Sequence, residues 1–189
     1  MNSVKDKSNL VKLINNALIK HFGVPERFST LPPPLTMLIG TILSQNTNDK
    51  NSFAAFNNLR KTFPKWELIL DSDIHKLENS IRVAGLGKQK ANAIKNLLVG
   101  IKNKNGTITE DFLTGLENDE IISELTSFDG IGLKTASCVL LFSLDRNVCP
   151  VDTHVHRTLN RIGLVETKSP DKSFIEINKH IPPKTAHSF

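Results

Sequence analysis

Apolar residues recur at three- and four-residue intervals along almost the whole chain, a spacing that leaves little room for any architecture but a helical one. Leu10, Leu13, Ile14, Ala17 and Leu18 form one such stripe, and Leu35, Leu38, Ile39, Ile42 and Leu43 form another. Residues spaced in this way share one face of a 3.6-residue helix. No stretch shows the strict alternation, bounded by hairpin turns, that a half-buried strand requires. The expected fold class is therefore all-α.

Prolines, glycines and capping residues divide the pattern into elements. Pro32-Pro33-Pro34 interrupts the chain before the second stripe, and proline is tolerated in a helix's first turn. A helix is predicted from roughly Lys50 to Phe63, with Phe53, Phe56 and Leu59 on one side and Pro64 after it. Ile74 to Val83 is a shorter one, closed by Gly85, and Ala91 to Ile101 follows, with Asn105-Gly106 as its stop signal. Asn118 is the expected cap of a helix over Asp119 to Ser127, whose acidic first turn suits the helix dipole. Leu133 to Leu144 and Thr153 to Arg161 are the next two. Ser169 caps a last helix that has Pro170 in its first position.

Residues 128–136, FDGIGLKTA, carry the clearest chemical signal. Gly130 and Gly132 form a turn opening an apolar helix, and without a Cβ their backbone amides can approach a phosphate at the helix N-terminus. Glycines also serve a plain helix–helix turn. Lys134 falls near the first turn of that helix, where a cation meets the positive end of the dipole. A lysine there can act as an amine nucleophile or simply contact phosphate. Downstream, in Val151-Asp152-Thr153-His154, Asp152 can cap the following helix and steady a developing positive charge.

A second turn, Gly85-Leu86-Gly87, also opens a helix and echoes the first at seven aligned positions with three identities. Neither turn is a nucleotide motif. A Walker A loop ending in Gly87-Lys88 needs glycine where Arg82 stands, and a dinucleotide fingerprint from Gly130 needs glycine where Thr135 stands. His154 and His156, two apart on a helix, do not face one another and are not read as a metal pair.

Bulk properties are those of a globular protein. The 189 residues carry a net charge of +5 with a pI near 9.3, which favours an anionic partner and equally suits a lysine-rich solvated surface. No apolar run is long enough to span a bilayer, and the N-terminal MNSVKDKSNLVKL lacks the features of a signal peptide. No membrane association is expected, and in a prokaryote the expected location is the cytoplasm, with the nucleoid. Two cysteines, Cys138 and Cys149, cannot by themselves make a four-ligand site. Cys138, within the run ASCVLLF, reads as a core residue.

Together FDGIGLKTA, VDTH and LSQNTND resemble the helix-hairpin-helix DNA glycosylases of the HhH-GPD superfamily, most closely the endonuclease III-like branch, over about residues 30 to 165. The resemblance implies two helical lobes with a DNA cleft between them. A central bundle would cover 28–146 and a discontinuous lobe 1–27 with 147–189. It implies a base-excision repair glycosylase with abasic-site lyase activity on oxidised pyrimidines, acting as a monomer on damaged or abasic double-stranded DNA. Lys134 would attack the sugar C1′ of a flipped nucleotide, expel the base and form a Schiff base, after which β-elimination nicks the strand. Asp152 would assist from the other lobe. Related adenine glycosylases lack the lysine, so Lys134 favours the bifunctional branch.

By the same resemblance Gln45 would fill the void left by the flipped base and Leu86 would be the wedge. Gly85, Gly87, Gly130, Gly132 and His154 would contact DNA. Bottom-up, Gln45 also reads as an ordinary polar residue ending its helix, and Leu86 as one packed under its turn. Two readings stay open beside the leading one: a non-catalytic helix-hairpin-helix DNA-binding module, and a monofunctional glycosylase for another lesion. The chain departs from the family at Phe128-Asp129, where Leu-Pro is usual, and in having no four-cysteine loop before Phe189. KTAHSF reads as the lead-in to a further helix, so a truncated chain is expected, the alternative being a lineage without the cluster. Truncation would leave apolar surface on the terminal lobe. A [4Fe–4S] cluster is expected only if the full-length protein continues past Phe189.

Overall fold

The computed structural model describes residues 2–27 and 29–189 and is helical, with no strand among the described residues. In chain order the helices are α1 (Asn2–Phe22), α2 (Pro34–Ser44), α3 (Asp49–Thr62), α4 (Glu67–Leu70), α5 (Ile74–Ile81), α6 (Gly87–Asn105), α7 (Asn118–Thr126), α8 (Leu133–Phe142), α9 (Thr153–Arg161) and α10 (Pro170–Asn178), with a 3-10 turn over Arg82–Ala84. No helix among them is long and apolar enough to cross a membrane.

The chain divides into two compact units. One is continuous, Pro32–Ala136, and the other is split, Met1–Leu31 with Ser137–Phe189. The boundary thus falls earlier than the expected 146, because the second half of α8 packs with the chain's last residues. Phe142 meets His187 edge-on, with ring centroids 6.0 Å apart, and Leu141 and Arg146 line a pocket of about 400 Å³ with Ala186 and His187. Arg27, at 2.9 Å from Asp145, joins the N-terminal segment to the same region.

Within the continuous unit the apolar stripes of α2, α3, α5 and α6 bury Leu35, Leu38, Ile39, Ile42, Leu59, Leu77, Ile94 and Leu97. Burial of each such side chain contributes about 1.5–3 kcal/mol. α2 begins after Pro33, whose apolar ring makes no capping hydrogen bond. Glu110 supplies the cap from 75 residues away, accepting from the Leu35 N–H at 3.0 Å and the Thr36 N–H at 3.3 Å. Its other oxygen accepts from Trp66 Nε1 at 3.1 Å, so one carboxylate fixes both α2 and the short α4, an element the sequence analysis did not anticipate. A negative charge at a helix N-terminus is the favourable sign.

Two element starts differ from expectation. α6 begins at Gly87 rather than Ala91, and ends as expected with Gly106 in a left-handed conformation at φ +77°. The cap of α7 is Glu117, not Asn118. Glu120 reaches back to accept from the Glu117 N–H at 2.7 Å, and this reciprocal arrangement starts the helix one residue early.

Candidate functional site

The continuous unit holds the two glycine turns and the lysine. Between α7 and α8, the Ile131 N–H bonds to Phe128 O at 3.1 Å, closing the turn, and Gly132 O accepts from Ala136 N at 3.0 Å, starting α8. Gly130 adopts φ +83°, a region L-residues rarely enter, and a Cβ there would lie 3.2 Å from the Ala93 methyl of α6. Gly132 is different. It is exposed and a Cβ on it would meet nothing within 4 Å, so its Cα borders open space at the start of α8, where helix N–H groups lack intrahelical partners. Lys134 is exposed in the first turn of the same helix, and Asp129 is exposed before it.

The residue preceding Asp129 is held by a notch. Phe128 is buried, and its Cε1 lies 2.3 Å from where a Cβ on Gly100 would be. The Phe128 ring therefore occupies the space that a side chain at position 100 of α6 would fill. Lys104 sits over the same ring at 5.3 Å.

Gln45 caps the C-terminus of α2, and its Nε2 donates to Gly130 O at 3.1 Å. The structure thus brings two of the sequence-selected residues into direct contact across 85 positions. Leu86 has φ +50° and ψ +35° and is 47% exposed at the mouth of α6. It is not packed under its turn. A leucine held outward in a left-handed conformation costs about 1–2 kcal/mol and exposes an apolar side chain, a combination that packing alone does not call for. Gly85 has φ +70° and ψ 168°, a region essentially reserved for glycine. A Cβ on Gly87 would come within 3.1 Å of Glu78 Cγ.

Lys90 escaped the sequence analysis. It is 3% exposed, and its Nζ donates to Leu43 O at 2.8 Å and to Ala84 O at 2.9 Å. Burial holds its ammonium below the ordinary lysine value. The legible signal was a lysine in register with the apolar stripe Ile94, Leu97, Leu98 and Ile101.

The split unit holds Asp152 and His154. Asp152 caps α9, with Oδ1 accepting from the N–H groups of His154 and Val155, both at 2.9 Å. Both bonds end on one oxygen, so the cap occupies half of the carboxylate. The irregular segment leading to Asp152 is pinned by Asn178, which accepts from Cys149 N at 2.7 Å and donates to Cys149 O at 3.1 Å. His154 is exposed, with Arg157 at 3.1 Å from its Nδ1. His156 turns instead toward Ser173, 2.6 Å away, and is a packing residue.

Among the described residues no three His, Cys, Asp or Glu side chains gather to hold a metal ion. Cys138 and Cys149 are both buried, and a four-thiolate cluster cannot be assembled from the two cysteines of this sequence.

Two helices, α7 and α8, joined by an exposed glycine turn and set in an all-α unit, define a helix-hairpin-helix protein. A family model described as HhH-GPD superfamily base excision DNA repair protein matches residues 39–183. The chain belongs to that superfamily. A putative DNA glycosylase of Arabidopsis thaliana is 42% identical over 146 residues, 77% of this chain and 50% of that protein. Endonuclease III of Sulfolobus acidocaldarius is 35% identical over 144 residues, 75% of this chain and 62% of that protein. The match therefore spans between half and two-thirds of the length of these relatives. Among solved structures, a non-covalent endonuclease III–DNA complex aligns with a TM-score of 0.75 at 23% identity, covering 96% of this chain and 83% of that one. At that identity the likeness is one of fold.

Proposed function

We propose that this chain is a base-excision DNA glycosylase with abasic-site lyase activity, acting on oxidised pyrimidines in double-stranded DNA. The observation that carries the reading is an exposed Lys134 in the first turn of α8, directly behind a turn whose two glycines, Gly130 and Gly132, are also exposed. Membership of a base-excision repair superfamily supports it, as do a relative called a putative DNA glycosylase and another called endonuclease III.

In this reading the hairpin amides, at Gly130 to Leu133, grip a backbone phosphate without reading sequence. Leu86 and Gln45 occupy the gap left when a nucleotide is flipped out, a step that costs a few kcal/mol and costs least at a damaged pair. The amine nitrogen of Lys134 attacks C1′, forming an N–C bond as the glycosidic bond breaks. The base leaves with the bonding pair and takes up a proton. The Asp152 carboxylate steadies the positive charge that grows on the sugar. Opening of the sugar ring leaves an iminium between Nζ and C1′. Loss of the C2′ proton then drives cleavage of the C3′–O bond, which nicks the strand. Water hydrolyses the remaining imine and restores the lysine. His154 contributes a contact to the DNA, and any [4Fe–4S] cluster would draw its ligands from residues beyond Phe189.

Incubation with duplex DNA carrying an abasic site under borohydride tests this. Trapping of a covalent adduct by the parent chain, and its loss in Lys134→Ala, is the expected result. DNA binding with neither adduct nor base release would leave a non-catalytic DNA-binding module. Base release without adduct would leave a monofunctional glycosylase.

A further inference from the structure

Lys90 is a buried cation with no carboxylate partner among its described hydrogen bonds. Among the described residues no other Lys, Arg, Asp or Glu is buried. A methionine of similar length would fill the same space without the cost of desolvating a charge. What the ammonium offers instead is two donors at a fixed point, and both are used on backbone carbonyls.

Those carbonyls are not ordinary core groups. Leu43 O is one of the last four of α2, which lack an intrahelical partner, and Ala84 O is the last of the 3-10 turn. A cation near the C-terminal end of a helix is on the favourable side of its dipole. Two residues beyond Leu43 lies Gln45, and two residues beyond Ala84 lies Leu86. The same helix that carries Lys90 presents Ala93 to Gly130, whose carbonyl accepts from Gln45. One ammonium therefore joins the stems of two turns that are far apart in sequence.

We propose that Lys90 is a positioning residue, locking the Gln45 turn and the Leu86 turn into one rigid piece so that both side chains enter an opened duplex together. It touches no DNA itself. Its effect lies on opening the pair rather than on capturing the helix, because phosphate contacts come from amides elsewhere. The inference rests on the DNA-repair reading but not on the lysine chemistry of Lys134.

The test uses the whole chain and a duplex holding a tetrahydrofuran abasic analogue, which no lyase can cleave, next to a 2-aminopurine. Anisotropy reports binding, and 2-aminopurine fluorescence reports unstacking. For Lys90→Met the expected result is binding within about threefold of the parent and an opening equilibrium reduced roughly tenfold or more, since small misplacements of positioned groups carry penalties of this order. Lys90→Arg, which keeps charge and donors, should recover most of the opening. If Lys90→Met loses its helical circular dichroism, Lys90→Gln replaces it, with an amide too short to span both carbonyls and the same expected split. Opening by a folded Lys90→Met or Lys90→Gln equal to the parent's overturns the proposal, as does an equal loss of binding and opening. Absence of opening in the parent itself fails the DNA-repair reading instead, and the borohydride adduct can fail while opening persists.

Discussion

The notch at Gly100 permits a sharp test of how the hairpin is seated. Replacing a helical glycine by alanine ordinarily stabilises by about 1 kcal/mol. Here the new methyl would lie 2.3 Å from Cε1 and 3.1 Å from Cδ1 of Phe128, against a comfortable carbon–carbon separation of about 3.5–4 Å. The ring must retreat by more than an ångström, yet Phe128 is only 9% exposed and packed in place. Overpacking of this kind costs about 1–3 kcal/mol, and a clash this deep against a buried ring falls in the upper part of that range, about 2–3 kcal/mol, which exceeds the propensity gain of about 1 kcal/mol. Gly100→Ala should therefore be destabilised by about 1–2 kcal/mol, or a fall of some 2–8 °C in Tm for a domain of this size. Urea and thermal unfolding followed by far-ultraviolet circular dichroism measure this directly. The double variant Gly100→Ala/Phe128→Leu should be at least as stable as Phe128→Leu alone, because the smaller side chain vacates the notch and the helix keeps its alanine. Were Gly100→Ala as stable as the parent, or the two substitutions simply additive, the close fit of ring to backbone would be refuted.

Asp152→Asn should retain the α9 cap to within a few tenths of a kcal/mol, because asparagine caps as well as aspartate. The borohydride-trapped adduct should nevertheless fall by an order of magnitude or more, and a parent-like yield would remove the carboxylate from the chemistry. Cys149, whose thiol burial pushes up to about 12, and Cys138, also buried, should not react with Ellman's reagent at pH 8 in the native state, while both react in guanidinium. Rapid native labelling would show that this region opens freely. Glu176 is held below the ordinary carboxylate value chiefly by the hydrogen bond from Lys7, at 2.9 Å, which outweighs the opposing effect of burial. A depressed folded value means stabilisation that is complete above the unfolded carboxylate range and lost as pH falls through the folded one. Denaturation midpoints of Lys7→Met and parent should accordingly differ at neutral pH and converge in acid, and a constant gap would contradict this.

The local grammar of the chain was readable because it depends on near neighbours. Ser169 and Asp152 cap their helices as the sequence indicates, and Gly106 ends α6, since each acts within a few residues. Glu117 displaced Asn118 because the side chain of Glu120 can reach back one position further than a cap chosen by residue type alone suggests. What stayed hidden was every arrangement made across the fold. Glu110 capping α2, Gly100 admitting Phe128 and Lys90 joining Leu43 to Ala84 link residues with no local signature. Lys90 was the nearest to visible, as a polar residue in an apolar stripe. For the site, Gly130, Gly132 and Lys134 stood out because backbone freedom and a nucleophilic amine are properties of residue type. The exposure of Leu86 and the bond from Gln45 to Gly130 are properties of packing.

Leu86 carries an implication for anyone engineering this chain. A glycine or asparagine at that place would relax the backbone, so a search scored only on heat resistance should repeatedly discard the leucine and be rewarded for doing so. The sturdier clones would reach the end of such a campaign with a blunted tip. If Leu86 acts as proposed, durability and the work of prying bases apart pull this one position in opposite directions.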